Sequence, residues 1–198
     1  MLFSRTRPYI LAVVLMIYGS GMAWSADTYQ LDTAHTLVGF TVRHLVITKV
    51  RGKFQDYSAT LMYDPNDLTQ SSLQGTIKVA SVDTDNEKRD NHLRSADFFD
   101  VARFPELTFA STGVEKTGDN SGIMRGNLTI HGVTKEVAIP FTITGPITHR
   151  GTPRIGFEAS LEVERRDFDI VYDKTTDNGG LIVGNTVRIE LVGEAVKQ

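Results

Sequence analysis

The chain has 198 residues, 40% hydrophobic and 23% charged, with 17 Gly, 6 Pro, no Cys and a formal net charge of −3, which is the mixture of an ordinary globular domain. Disordered, collagen-like and polytopic membrane chains are excluded. The lack of Cys removes disulfide frameworks, thiolate metal sites, Cys nucleophiles and the Cys that attaches a lipoprotein anchor.

The first 26 residues differ from the rest. Arg5 and Arg7 form a basic head, Tyr9 to Tyr18 is a ten-residue apolar run, and Gly19 to Ala26 is small and weakly polar. This order predicts a secretory signal peptide over residues 1–25, cleaved after Ser25 or Ala26 and leaving the mature protein in the periplasm. The apolar run is too short to make a stable membrane span. The competing reading is an uncleaved anchor, since no charge falls between Arg7 and Asp27. Removing residues 1–25 leaves 19 basic against 24 acidic residues, a charge of −5 over a single domain at 26–198. A mildly acidic surface argues against nucleic acid as a partner, because phosphate binding needs a clustered cationic footprint.

Along the mature chain apolar residues recur with period two, the mark of half-buried strands. In chain order the runs are Val38/Phe40/Val42, Ala59/Leu61/Tyr63 and Leu73/Gly75/Ile77/Val79. Asp83 to Phe99 then breaks the rhythm, and it predicts one or two helical turns started by Asp83, Thr84 or Asp85, with Thr84 and Glu87 spaced as a capping box. Alternation resumes at Leu107/Phe109, Leu128/Ile130, Val137 to Ile143, Ile155 to Val163 and Val187 to Leu191. Turn residues fall at Asp64 to Asp67, Thr117 to Gly122, His131-Gly132, Gly145-Pro146 and Asn178 to Gly180. Such short connections favour antiparallel neighbours, and about eight strands in one domain lead to a barrel or a sandwich.

Common catalytic and cofactor motifs are absent: there is no G-x-S-x-G, H-E-x-x-H, phosphate-binding loop or dinucleotide fingerprint, and no cofactor is implied. The five His residues sit in separate segments without ligand spacing, which reads as single polar contacts rather than a metal site. Asp83, Asp85 and Glu87 lack the glycine and closing Glu of a calcium loop, and Glu162/Glu164 lie on the polar face of a strand. The Phe residues carry more information. Inward side chains of a barrel of about eight strands either fill the interior or line a pocket for one ligand, and alternation leaves both open.

Three blocks narrow the choice. His35 to Leu45 (HTLVGFTVRHL) with Val50 to Phe54 (VRGKF), Arg89 to Asp100 (RDNHLRSADFFD) running into Phe104-Pro105 and Phe109-Ala110-Ser111, and Gly126 to Lys135 (GNLTIHGVTK) resemble, in the expected order, the YceI-like family of lipocalin-like polyisoprenoid-binding proteins. One departure is Asp169, where the family usually places Gly after Phe168.

The resemblance implies an all-β protein, an eight-stranded antiparallel lipocalin-like barrel with a short helical segment across one end. It further implies a long-chain isoprenoid or similar amphiphilic lipid as partner, carried or sequestered without chemistry, and the family includes homodimers. The expected wall residues are Val38, Phe40, Val42, Phe54, Ile77, Val79, Phe109, Leu128, Phe141 and Phe157. Arg89 and His92, beside Phe98 and Phe99, are the candidates for the lipid's polar end, with a salt-bridge network across the barrel end as the competing reading of these cations. Two further alternatives stand: an enzyme acting on a bound amphiphile, with His92 or His44 as acid–base group oriented by Asp90, and an interaction barrel filled by its own side chains.

Overall fold

The computed structural model describes residues 26–45, 47–177, 179 and 181–198; the expected signal peptide lies outside them. Ten strands and one helix are seen among these residues: β1 (Asp27–His44), β2 (Thr48–Phe54), β3 (Tyr57–Tyr63), β4 (Ser72–Lys78), β5 (Val82–Asp83), α1 (Glu87–Arg94), β6 (Glu106–Gly118), β7 (Ser121–Ile130), β8 (Val133–His149), β9 (Thr152–Glu164) and β10 (Val183–Lys197). The ladder runs β10-β9-β8-β7-β6-β4-β3-β1, and β10 pairs with β1 to close it. Closure removes the edges that β1 and β10 would otherwise present, while β2 continues the ladder on its far side only through Lys53 and Phe54, which pair with β5. β1 is 18 residues long and shares one side between two partners, pairing Asp27 to Gln30 with β3 and Val38 to His44 with β2. β2 and β3 thus act as one bent strand, and the barrel has eight staves, all antiparallel.

Turn chemistry sets the hairpins. His131-Gly132 and Arg150-Gly151 both have positive φ at two successive residues (51° and 76°, 51° and 83°), the geometry of two-residue turns that match strand twist. The first follows the sequence expectation. The second was not read from sequence; Gly145-Pro146, expected as the turn, lies inside β8, where the pairing to β9 shifts between Thr144 and Ile147. A proline without an N–H fits at such a bulge.

The helix also starts later than the Asp83–Asp85 expectation. Asp85 takes a left-handed φ of 58°, which turns the chain so that Asn86 is the N-cap and accepts from the Arg89 N–H at 3.0 Å. Thr84 serves elsewhere: its N–H and hydroxyl both donate to buried Asp90, so Asp90 holds the helix to β5 rather than orienting a histidine. Asp169 sits at φ 57°, ψ 21°, capping the 3-10 turn Arg165–Phe168. This position needs the left-handed region, which Asp tolerates better than most residues.

Two apolar plugs close the barrel. At the α1 end, Val38, Phe54, Val79, Val82, Phe98, Leu107, Ile130, Phe168 and Ile170 form one buried cluster. At the other, Tyr29, Leu61, Tyr63, Leu68, Ile143, Ile155 and Ala195 form a second. There the Tyr29 and Tyr63 rings meet edge-on at 5.7 Å, and burial pushes both phenols above their usual value.

Candidate ligand-binding site

Between the plugs the interior is not filled. An apolar cavity of about 200 Å³ is lined from every stave: Leu31, Val38 and Phe40 from β1, Phe54 from β2, Ala59 and Leu61 from β3, Leu73 and Ile77 from β4, Leu107 and Phe109 from β6, Met124, Leu128 and Ile130 from β7, Ile139, Phe141 and Ile143 from β8, Phe157, Ala159 and Leu161 from β9, and Ile189 and Leu191 from β10. The run from Met124 to Ile130 spans about 20 Å of strand at ~3.3 Å per residue. With a strand tilt of 35–45°, that is roughly 15 Å along the barrel axis. The cavity is therefore long rather than round. Its lining includes hydroxyls, such as Tyr57 and Thr36, but no Asp, Glu, His, Lys or Arg.

Three phenylalanines are held against the wall by glycines on neighbouring strands. A Cβ on Gly52 would fall 2.4 Å from Phe40, one on Gly122 2.9 Å from Phe141, and one on Gly126 2.5 Å from Phe109. Aromatic rings packed over strand glycines recover the contact that a bare backbone lacks, and here they also leave the lumen open. These glycines were not singled out from sequence, because the relation exists only across the ladder. Phe40, Phe109, Phe141 and Phe157 remain half-buried although they face inward, as rings bordering empty space must.

Eight of the expected residues line this cavity: Val38, Phe40, Phe54, Ile77, Phe109, Leu128, Phe141 and Phe157. Six do not. Val42 shares the parity of Phe40 but lies nearer the β1–β2 turn, past the cavity's end. Val79 is fully buried in the α1-end plug, where the chain has left β4. Phe98 packs between His92 and Tyr172, and Phe99 against Phe54. Arg89 donates to the hydroxyl and carbonyl of Thr84, and His92 Nε2 lies 2.8 Å from Asp97. Arg94 donates to the Ala80 and Val82 carbonyls. Arg89 and Arg94 pin α1 to the chain before it and His92 meets Asp97 just after it, so Arg89 and His92, expected at a ligand's polar end, make local contacts and do not line the cavity. Parity within a strand was legible, whereas height along the barrel axis was not.

The wall has one seam. Between its pairings with β3 and β2, β1 leaves Leu31 to Leu37 without ladder partners on that side, and Tyr57 donates its hydroxyl across the gap to the Thr36 carbonyl at 2.5 Å. On the other side β1 bulges between Asp32 and Leu37. Arg154 clamps that bulge, donating to Asp32 at 2.7 Å and to Glu194 at 3.2 Å. Asp32, His35 and Glu194 bring one donor atom each within 4.8 Å of one another, but the Arg154 guanidinium already pairs with both carboxylates.

Arg154 first, and His35 after it, hold the Asp32 carboxyl down at about 2. Because the folded value lies below the ordinary 3.8, the stabilisation is present above that pH and is lost as pH falls toward 2. In an NMR titration of Asp32, Arg154→Gln should move the midpoint back toward the ordinary value. An unmoved midpoint would separate Arg154 from the carboxylate.

Residues 29–195 match the model of the YceI-like domain. The chain belongs to the YceI-like family. It is 39% identical over 161 residues to the protein YceI of Salmonella newport, a match covering 80% of this chain and 83% of that one. The crystal structure of a Campylobacter jejuni YceI protein superposes with a TM-score of 0.70 at 37% identity, covering 85% of this chain and 96% of that one. A polyisoprenoid-binding domain from Saccharophagus degradans, implicated in plant cell wall breakdown, shares the fold with a TM-score of 0.66 at 15% identity, over 87% and 99% of the two chains.

Proposed function

We propose that the cavity holds the hydrocarbon chain of an isoprenoid or similar amphiphilic lipid, and that the protein carries or sequesters this lipid in the periplasm after export on its first 25 residues. The observation that carries this reading is the open interior, a long lumen walled by aliphatic and aromatic side chains without Asp, Glu, His, Lys or Arg. Ten buried methylenes would contribute a gross ~8 kcal/mol at ~0.8 kcal/mol each, from which association and ordering costs are subtracted. The family assignment and the named ligand class of the Saccharophagus relative support the same chemistry.

The lining argues for binding without turnover. His44, His92 and Asp90, the groups an acid–base mechanism would have used, are not part of it. The titratable group that is, the Tyr57 phenol, is pushed up by burial and already donates its proton to the Thr36 carbonyl, whereas general acid–base catalysis needs a group placed to exchange a proton with the substrate. Denaturing the purified protein and analysing the organic extract by mass spectrometry is expected to return an isoprenoid-class lipid unchanged. A protein that yields no lipid and takes up none when offered a prenyl alcohol would refute the assignment.

A further inference from the structure

The hairpin joining β1 to β2 stands apart from the rest of the surface. From Arg43 to Phe54 it contains Arg43, Lys49, Arg51 and Lys53 and no acid, in a mature chain whose balance is −5. Arg43 pairs directly with Lys49, and Thr41 with Arg51, so these three cations lie on the outward face, opposite the Val38/Phe40/Val42 face. All three are exposed, and among the described residues none of them enters an ion pair. The acids nearest in register are engaged elsewhere: Glu190 by Arg188, and Asp83 by Lys53. Like charges directly opposite one another on a ladder destabilise it. Such a pair is relieved when an anion meets both.

The turn above these cations is apolar and uncovered. Ile47 is 79% exposed and Leu45 37%. Leu45 is fixed by donating its N–H to the Ile182 carbonyl. Val171, 61% exposed, belongs to the segment that Arg165 ties to Val183 through the Tyr172 and Val183 carbonyls. These side chains therefore project from the same end of the barrel. An apolar tip with a cationic collar has the chemistry of an interfacial anchor, which buries its tip at the headgroup boundary while Lys and Arg meet lipid phosphates.

We infer that the β1–β2 hairpin docks the protein on an anionic phospholipid bilayer, with Ile47 and Leu45 entering the interface and Arg43, Lys49 and Arg51 contacting headgroup phosphates. The docking needs no occupant in the cavity, so it stands or falls separately from the lipid-carrier reading. A bilayer fits better than a soluble polyanion because cations alone would satisfy the latter, whereas the exposed Ile and Leu would not contribute to binding it.

The test is sedimentation with phosphatidylglycerol–phosphatidylcholine vesicles and with phosphatidylcholine vesicles alone. It uses the chain from Ala26 onward, which contains every strand of the closed barrel and excludes the apolar run at residues 9–18. Binding is expected only to the anionic vesicles. Arg43→Gln with Lys49→Gln and Arg51→Gln should reduce partitioning on the order of 100-fold, since each cation near the surface contributes roughly equally. Ile47→Ser should reduce it about 10-fold. Both variants change exposed side chains and should keep the wild-type lipid content, and neither should melt below wild type, the triple variant being relieved of the Arg43–Lys49 repulsion. Equal binding to the two vesicle types, full binding by the triple variant, or full binding by Ile47→Ser would each overturn the proposal, the last by reducing the hairpin to a general polyanion patch.

Discussion

Replacing Ala159 by Trp is expected to empty the barrel of its ligand while leaving the barrel standing. Ala159 lies between Phe141 on β8 and Leu191 on β10, lines the cavity and is only half-buried. An indole at this position projects into a space of about 200 Å³. Displacing about four methylene equivalents of ligand, at ~0.8 kcal/mol each, weakens binding by about 3 kcal/mol, or over 100-fold. Overpacking a filled core costs ~1–3 kcal/mol, and here the open lumen accepts much of the added volume, so the melting temperature should fall little. Lipid recovered by extraction and the affinity for an added prenyl alcohol are the readouts. A folded Ala159→Trp protein retaining lipid at the wild-type level would place the ligand outside this lumen.

The small inward side chains matter as much as the aromatic ones. Reading each strand alone identifies inward residues by parity, which is why Phe40, Phe109, Phe141 and Phe157 were legible from sequence. The same parity places Ile139 beside Phe141, and Ala159 and Leu161 in line with Phe157, yet a reading that favoured aromatic residues passed over them. What single strands cannot show is register. Gly52 opposes Phe40 only because Val38 pairs with Phe54, and without that pairing Gly52 looks like a weak point in a strand. Depth is equally hidden. Val38 and Val42 share a face, but only Val38 reaches the cavity, because the axis position of a residue depends on barrel tilt and stagger. For Arg89 and His92 the limit is different: proximity in sequence to Phe98 and Phe99 suggests a shared site, whereas in the fold Arg89 turns to Thr84 before the helix and His92 to Asp97 after it.

The plug at the α1 end depends on one buried cation. Arg165 is 5% exposed and donates to the carbonyls of Gly184, Ile170, Tyr172 and Val183, at 3.1, 2.5, 2.8 and 3.3 Å. Burial pushes its guanidinium below the usual arginine value, though an arginine starting so high stays charged at neutral pH. A planar fork with five N–H donors can satisfy acceptors diverging in this way, and a lysine cannot.

Arg165→Met keeps most of the side chain's length but leaves these acceptors without their partner, including one on buried Ile170. The expected loss is about 3–5 kcal/mol. For a domain of this size that corresponds to roughly 10 °C in melting temperature. Arg165→Lys should fall between the two, keeping the charge but not the four-way geometry. Because Phe168 and Ile170 belong to the plug itself, loosening this segment should open that end of the cavity before the barrel melts. Bound lipid should therefore leave the Met variant faster than wild type at temperatures where both are folded. A Met variant with wild-type melting temperature would show that the carbonyls find other donors. Unchanged lipid release despite a lower melting temperature would place the exit at the seam bridged by Tyr57 and Thr36, where β1 parts from β3.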